Sequence, residues 1–267
     1  MPPCLVIWVV SSLVLLLEGD LVPAESQQEE FRHERLGEKD EPLLETEGTE
    51  WPLLDWDRAT DDWFGSRTWL EDLGIFVDAF LTMDTSGVLR GGVNEGDTAF
   101  RYLLDLTLAL DTEKLVGLEG GTAFADFQIQ HGKNGSNDVG DAQGISNVDA
   151  DGFEQLARLW YQQGFWDGAV RVKIGKVDSN TEFAYVENGA RFLNSSFGHS
   201  PNIVSMPTYP DPATSANVFV SPGAGLSAGF GVYDGAAQTG VRTGRTGPRT
   251  FFGEPSDLFL IGEVGAR

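Results

Sequence analysis

Between Asp105 and Lys173 the sequence sets ionisable, amide and aromatic side chains at every second position of runs that are otherwise largely apolar. Asp105 sits in LDLTLALD, Asp126 and Gln128 in FADFQIQ, Arg158 and Trp160 in LARLWYQQ, and Arg171 and Lys173 in VRVKIGKV. Carboxylates accept hydrogen bonds, guanidinium and ammonium groups donate them, amides do both, and an indole offers a flat apolar face. Such rows suit many weak contacts to a polar solute better than they suit breaking a bond. Glycoside hydrolysis needs two carboxyls a defined distance apart, and no spacing among Asp105, Asp126, Glu182 and Glu187 suggests that pair. His33, His131 and His199 lie far apart without ligand spacing, and no Ser/His/Asp grouping stands out. The glycines of GAGLSAGFG are not followed by the helix that a phosphate loop requires. Asp149 and Asp151 offer the oxygen ligands that calcium takes, but a bare acidic turn is ordinarily just solvated. The reading at this level is not an enzyme, with no cofactor and no metal.

The elements that must position these groups are strands. Val77, Ala79, Leu81 and Met83 alternate with Asp78, Thr82 and Asp84, and Leu104, Leu106, Leu108 and Leu110 alternate with Asp105, Thr107 and Asp111. Ala123, Ala125, Phe127 and Ile129 oppose Asp126, Gln128 and Gln130, while Val170, Val172 and Ile174 oppose Arg171 and Lys173. In FEQLARLWYQQ the alternation puts Phe153, Ala157, Leu159 and Tyr161 on one face, and Glu154, Arg158, Trp160 and Gln162 on the other. A weak strand at Ala216 to Ser221, one carrying Leu226, Ala228, Phe230 and Val232, and a last one at Leu258 to Val264 bring the total to about eight. Each has one dry and one wet face.

The connections order these strands. From Gly132 onward long loops alternate with tight turns: Gly132 to Gly152, Gly164 to Gly168, Ser179 to Pro212, Pro222 to Gly223, and Asp234 to Pro255. A barrel across an outer membrane has this pattern, because its periplasmic ends are short and its outer ends long, and its polar rows then face the lumen. A soluble sandwich has less reason to gather every long loop at one end.

A net charge of -23 argues against nucleic acid as a partner and against charge-driven docking on an anionic membrane surface. The sole cysteine, Cys4, precludes an internal disulfide. It stands beside an apolar run, Leu5 to Leu17, that with Val22-Pro23-Ala24 reads as a secretory signal peptide over 1–24. Residues 25–62 then form an acidic linker and a Trp-rich lead-in, ahead of a short helical pattern closed by Gly74 and a β domain over 63–267.

Several ordered segments carry a family resemblance. LARLWYQQGFWDGAVRVKIGKVDSNTEFA, then GARFLNSSFG, together with WFGSRTWLEDLGI, LDLTLALDTEKLVGLEGGTAFADFQIQHG, VGDAQGISNVDA and GVYDG, resemble the carbohydrate-selective porins of the OprB family in identity and order. The resemblance extends over most of Trp63 to Arg267. It implies an all-β, antiparallel transmembrane barrel in the outer membrane of a Gram-negative-type bacterium, passing small saccharides by passive diffusion. Carbohydrate solutes and outer-membrane lipid are the implied partners, with trimers as the implied oligomer.

Family barrels have roughly 16 strands, the size at which the lumen becomes an aqueous channel. The chain holds about half that number and ends on Arg267 rather than on an aromatic residue, so it is expected to be the truncated N-terminal half of such a barrel. A selective sugar path combines charged and amide groups with aromatic platforms. The expected lining is therefore Asp105, Asp126, Gln128, Arg158, Trp160, Arg171 and Lys173 on the strands. Phe192, Asn194 and Phe197 join them from a loop that in many porins folds inward to narrow the channel. The competing readings are a soluble exported all-β module that binds glycans, with its leucine rows buried between two sheets, and a non-conducting porin remnant.

Overall fold

A computed structural model of the chain describes residues 62–141, 144–185, 205–223, 225–253 and 257–266. The expected signal peptide over 1–24, all but the last residue of the 25–62 segment, and the loop positions Phe192, Asn194 and Phe197 lie outside the described residues.

Helix α1 (Ser66–Asp72) leads into the sheet and ends at Leu73, and Gly74 takes a left-handed φ of +85° that turns the chain into β1 (Ile75–Gly87). A Cβ at Gly74 would lie 2.8 Å from the Lys114 side chain, so glycine is needed for the close approach as well as for the dihedral. The strands that follow are β2 (Thr98–Asp111), β3 (Gly121–Gly132), β4 (Phe153–Phe165), β5 (Val170–Val177), β6 (Ala213–Gly223), β7 (Leu226–Asp234) and β8 (Leu258–Ala266). They form one sheet in sequence order, every neighbouring pair antiparallel. This is the all-β meander that the alternation predicts. The weak strand expected at Ala216 to Ser221 runs longer, from Ala213 to Gly223, because its small residues pair in full with β5 and with most of β7.

The connections sort by end. The connections from β1 to β2, β3 to β4, β5 to β6 and β7 to β8 leave the sheet at one end, and those from β2 to β3, β4 to β5 and β6 to β7 at the other. The 112–120 connection stays compact because Asp111 caps helix α2 (Thr112–Val116), its side chain accepting from the Glu113 and Lys114 amides, and Gly117 closes the helix at φ +74°. At the long-loop end, helix α3 (Ser136–Val139) is a single turn within 133–152.

The two faces differ in a way that inverts a soluble sheet. Leu106, Leu108, Phe127, Leu159, Ile174, Val218, Phe230 and Leu260 are exposed, while Arg101, Asp126, Gln130, Lys173 and Asn217 are buried to 2% exposure or less. Burying ionic groups while leaving a leucine band bare is unfavourable in water and is what lipid around the outside demands.

Strand β4 departs from simple alternation. Asp126 pairs with Arg158 but Phe127 pairs with Leu156, so Ala157 is an extra residue in a bulge. Phe153 and Ala157 are consequently buried on the inner side, together with Trp160, while Glu154 and Leu156 are exposed outside. The single apolar face read through Phe153, Ala157, Leu159 and Tyr161 is thus corrected: the bulge splits it, leaving only Leu159 and Tyr161 with the outer row.

Candidate functional site

The inner face carries a ladder of rings and charges that crosses the sheet. Phe124 of β3 stacks on Trp160 of β4, with ring centroids 4.9 Å apart and planes 21° from parallel. Arg158 lies 5.1 Å above the Phe124 ring and Lys173 of β5 lies 4.0 Å above the Trp160 ring. One strand further, Arg171 sits 4.0 Å over Phe219 of β6. The register explains this assembly: Phe124 faces Trp160 directly, and Lys173 and Arg171 stand two residues apart on one row of β5.

Each cation in the ladder has an anion. Arg158 donates from Nε to Asp126 at 2.9 Å, and Gln128 donates to Asp105 at 2.7 Å. Glu182, just after the 3-10 turn Ser179–Thr181, reaches in from the 178–212 loop to take both Arg171 (2.8 Å) and Lys173. Lys173 and Glu182 side chains are each only 1% exposed, so their charges are held by one another rather than by water. Phe183 follows Glu182 inward and packs against Phe219 and Tyr233, at centroid distances of 5.2 and 6.3 Å.

Toward the long-loop end a second charged knot fastens 133–152 to the wall. The Arg101 Nε lies 2.6 Å from Asp84 and 2.8 Å from Asp149, all three side chains being at most 3% exposed. Ser146 donates to Asp84, Ser136 donates to Asp149, and Gln130 donates to the Val148 carbonyl. Outside the wall, Lys133 bridges Asp97 and Asp138 at 2.9 and 2.8 Å. Hydrogen bonds from Lys133 and Asn94 hold the Asp138 carboxyl below its ordinary value, and the same carboxylates raise the Lys133 ammonium.

Asp105, Asp126, Gln128, Arg158, Trp160, Arg171 and Lys173 all stand on the inner face, and the ladder brings them together across β2 to β5. Phe124, Phe219, Tyr233 and Arg101 also stand on the inner face and parity marks them: Phe124 shares a row with Asp126, Phe219 with Asn217, Tyr233 with Gly231 and Arg101 with Ala99. Glu182 is only one acid among several in the sequence, since nothing local to TEFAY says that the loop turns back into the wall. Among the described residues no group of three or more His, Cys, Asp or Glu is arranged to hold a metal ion.

An antiparallel meander that is apolar outside, charged and aromatic inside, and long-looped at one end is the wall of a transmembrane β-barrel. Residues 97–264 match the family described as carbohydrate-selective porin, OprB family, and the chain belongs to that family. It is 32% identical over 131 residues to a protein named Porin B from Pseudomonas aeruginosa, a match covering 46% of this chain and 29% of that one. The fold is similar to that of a solved structure of Pseudomonas putida OprB, with a TM-score of 0.62 at 23% identity, over 70% of this chain and 47% of the other. The chain thus spans less than half the length of the relatives it matches.

Proposed function

We propose that this chain forms part of an outer-membrane channel along whose inner face small saccharides diffuse passively. The observation that carries this reading is the ladder itself. Ring faces at Phe124, Trp160 and Phe219 alternate with paired charges at Arg158, Lys173 and Arg171, on the wall opposite a bare apolar band. A sugar presents apolar ring faces and a rim of hydroxyls, and a wall with both kinds of group trades water contacts for wall contacts at little net cost. Of these groups Arg171 and Arg158 keep part of their guanidiniums open, at 29% and 16% side-chain exposure, and because both are already paired they exchange hydrogen bonds with hydroxyls without holding a sugar in place, while Lys173, Trp160 and Phe124 lie beneath and support them. Outer-membrane lipid around the leucine band, saccharide solutes inside and further copies of the chain are the partners proposed with it.

The test is liposome swelling with the full chain reconstituted. Glucose is expected to enter faster than into protein-free vesicles, and Arg158→Ala and Arg171→Ala, which remove the two partly open guanidiniums, are expected to change the preference among sugars of equal size. Swelling no faster than that of empty vesicles defeats the channel reading; unchanged preferences in both variants remove these two residues from the path.

A further inference from the structure

Where β2, β3 and β4 meet, the acids of the inner face outnumber its cations. Asp105, Asp126 and Asp178 all act on the one guanidinium of Arg158. Asp178 is answered by its own loop, accepting from the Asn180 amide at 3.0 Å, the Thr208 hydroxyl at 2.6 Å and the Tyr209 amide at 3.0 Å. Asp126 is not so served. It is fully buried, its Oδ2 accepts from the Arg158 Nε at 2.9 Å, and its Oδ1 has no hydrogen-bond partner among the described residues. A buried carboxylate oxygen left without a donor is costly. Asp105 is half-buried on the neighbouring strand and accepts from the Gln128 amide nitrogen at 2.7 Å, a bond that does not engage the Gln128 carbonyl oxygen. In the register Asp105 stands opposite Gln128 and Asp126 opposite Thr107, so the two carboxylates are diagonal neighbours on the inner face with Gln128 beside both.

We infer that Asp126 Oδ1, the Asp105 carboxylate and the Gln128 carbonyl oxygen form a seat for a divalent cation of the calcium type. Three carboxylates against one guanidinium leave an excess of two negative charges, which one such ion cancels and a single shared proton does not. The offered atoms are all hard oxygens, with no imidazole or thiolate among them, which suits calcium and not zinc or copper. Magnesium demands a near-ideal octahedron, whereas calcium accepts the irregular set that two strands at fixed spacing can present. Water completes the shell from the inner side, on which Asp105 is only half-buried. With two carboxylates and one amide the seat lies below the three acidic or imidazole ligands by which metal centres are commonly found. An ion there supplies the partner that Asp126 Oδ1 lacks and ties β2 to β3 across the inner face, whichever solute passes beside it.

The test uses terbium, which takes calcium's ligands and emits when excited through a nearby indole, titrated onto the full chain folded in detergent micelles and then displaced with calcium. Trp160 is the expected sensitiser, since it faces Phe124, two residues from Asp126 on the same row. Tryptophan excitation should give saturable terbium emission that calcium removes. Asp105→Asn, which keeps an acceptor for the Gln128 amide, and Gln128→Met, which takes away the carbonyl oxygen without changing charge, should each weaken binding at least about tenfold. Asp167→Asn, which removes an acid beside Trp166 in the β4 to β5 turn, should leave it unaltered. Calcium should also raise the urea midpoint of the wild-type chain and leave that of Asp105→Asn unmoved. Absence of saturable emission, emission that calcium does not displace, or wild-type affinity in both site variants overturns the seat. So does loss of the signal in Asp167→Asn alone, which places the ion in the turn, and so does an equal rise in urea midpoint in wild type and Asp105→Asn, which marks general screening of a chain of net charge -23. Should Asp105→Asn fail to fold, as read by tryptophan fluorescence, the Gln128→Met titration decides.

Discussion

Glu182 is the residue on which the inner wall's electrostatics turn. It faces Lys173 and Arg171 together, in a setting where water reaches neither Glu182 nor Lys173. Taking an ion pair out of water is costly, and the mutual attraction offsets that cost only while both partners remain. Glu182→Gln is therefore expected to destabilise the folded chain by about 3–5 kcal/mol, the range found when one partner of a buried pair is removed. Urea unfolding of the micelle-bound chain, followed by tryptophan fluorescence, measures it. Lys173→Met combined with Glu182→Leu should recover much of the loss, since no orphaned charge remains at that pair. If the single variant unfolds at the wild-type urea concentration, the pair is solvated and Glu182 does not fasten the loop.

At the level of elements, the inward turn of that loop depends on what β7 leaves out. Gly231 has no side chain to fill the space that Phe183 enters. A Cβ there would meet the Asn217 amide oxygen at 2.4 Å, the Tyr233 ring at 2.7 Å and the Phe183 ring at 2.9 Å. All three neighbours are buried, so none swings clear without disturbing others. Gly231→Ala is expected to cost about 1–3 kcal/mol by overpacking. It should also raise amide exchange at Glu182 and Phe183, whose amides donate to the Ser179 carbonyl; an unchanged exchange pattern would mean that the glycine is not what admits the loop. The sequence made the strands legible because a period of two with leucine on one side and acids on the other is hard to produce otherwise, as at Leu104 to Asp111. Loop lengths told the two ends of the sheet apart for the same reason. The bulge at Ala157 was not legible, because Phe153 and Ala157 are apolar and continue the pattern of Leu159 and Tyr161 although they lie on the opposite face. Nor was the pairing of Glu182 with β5, which joins a loop to a strand through the fold and leaves no spacing behind.

For the whole molecule, the decisive property is the medium around the outer band. In water, the exposed Leu106, Leu159, Ile174 and Phe230 would drive association, and a single charge placed among them would do little harm or even help solubility. In a bilayer the same charge must leave the hydrocarbon, at a cost that depends on depth: about 2–4 kcal/mol for arginine at the midplane and about 0–1 near the interface. Strand β2 offers both depths on one face. Leu106 lies near its middle and Phe100 near its long-loop end, and both are exposed outward. Leu106→Arg is therefore expected to destabilise the chain folded in phospholipid bilayers by about 2–4 kcal/mol, with Phe100→Arg costing a small fraction of that. Urea titration in bilayers measures both, with the same pair in detergent micelles for comparison, where the depth dependence should shrink because a micelle has no fixed midplane. Equal costs at the two positions in bilayers would mean that no hydrocarbon slab surrounds β2. The leucine rows would then have to be covered by protein, and a glycan-binding sandwich would replace the channel as the account of this chain.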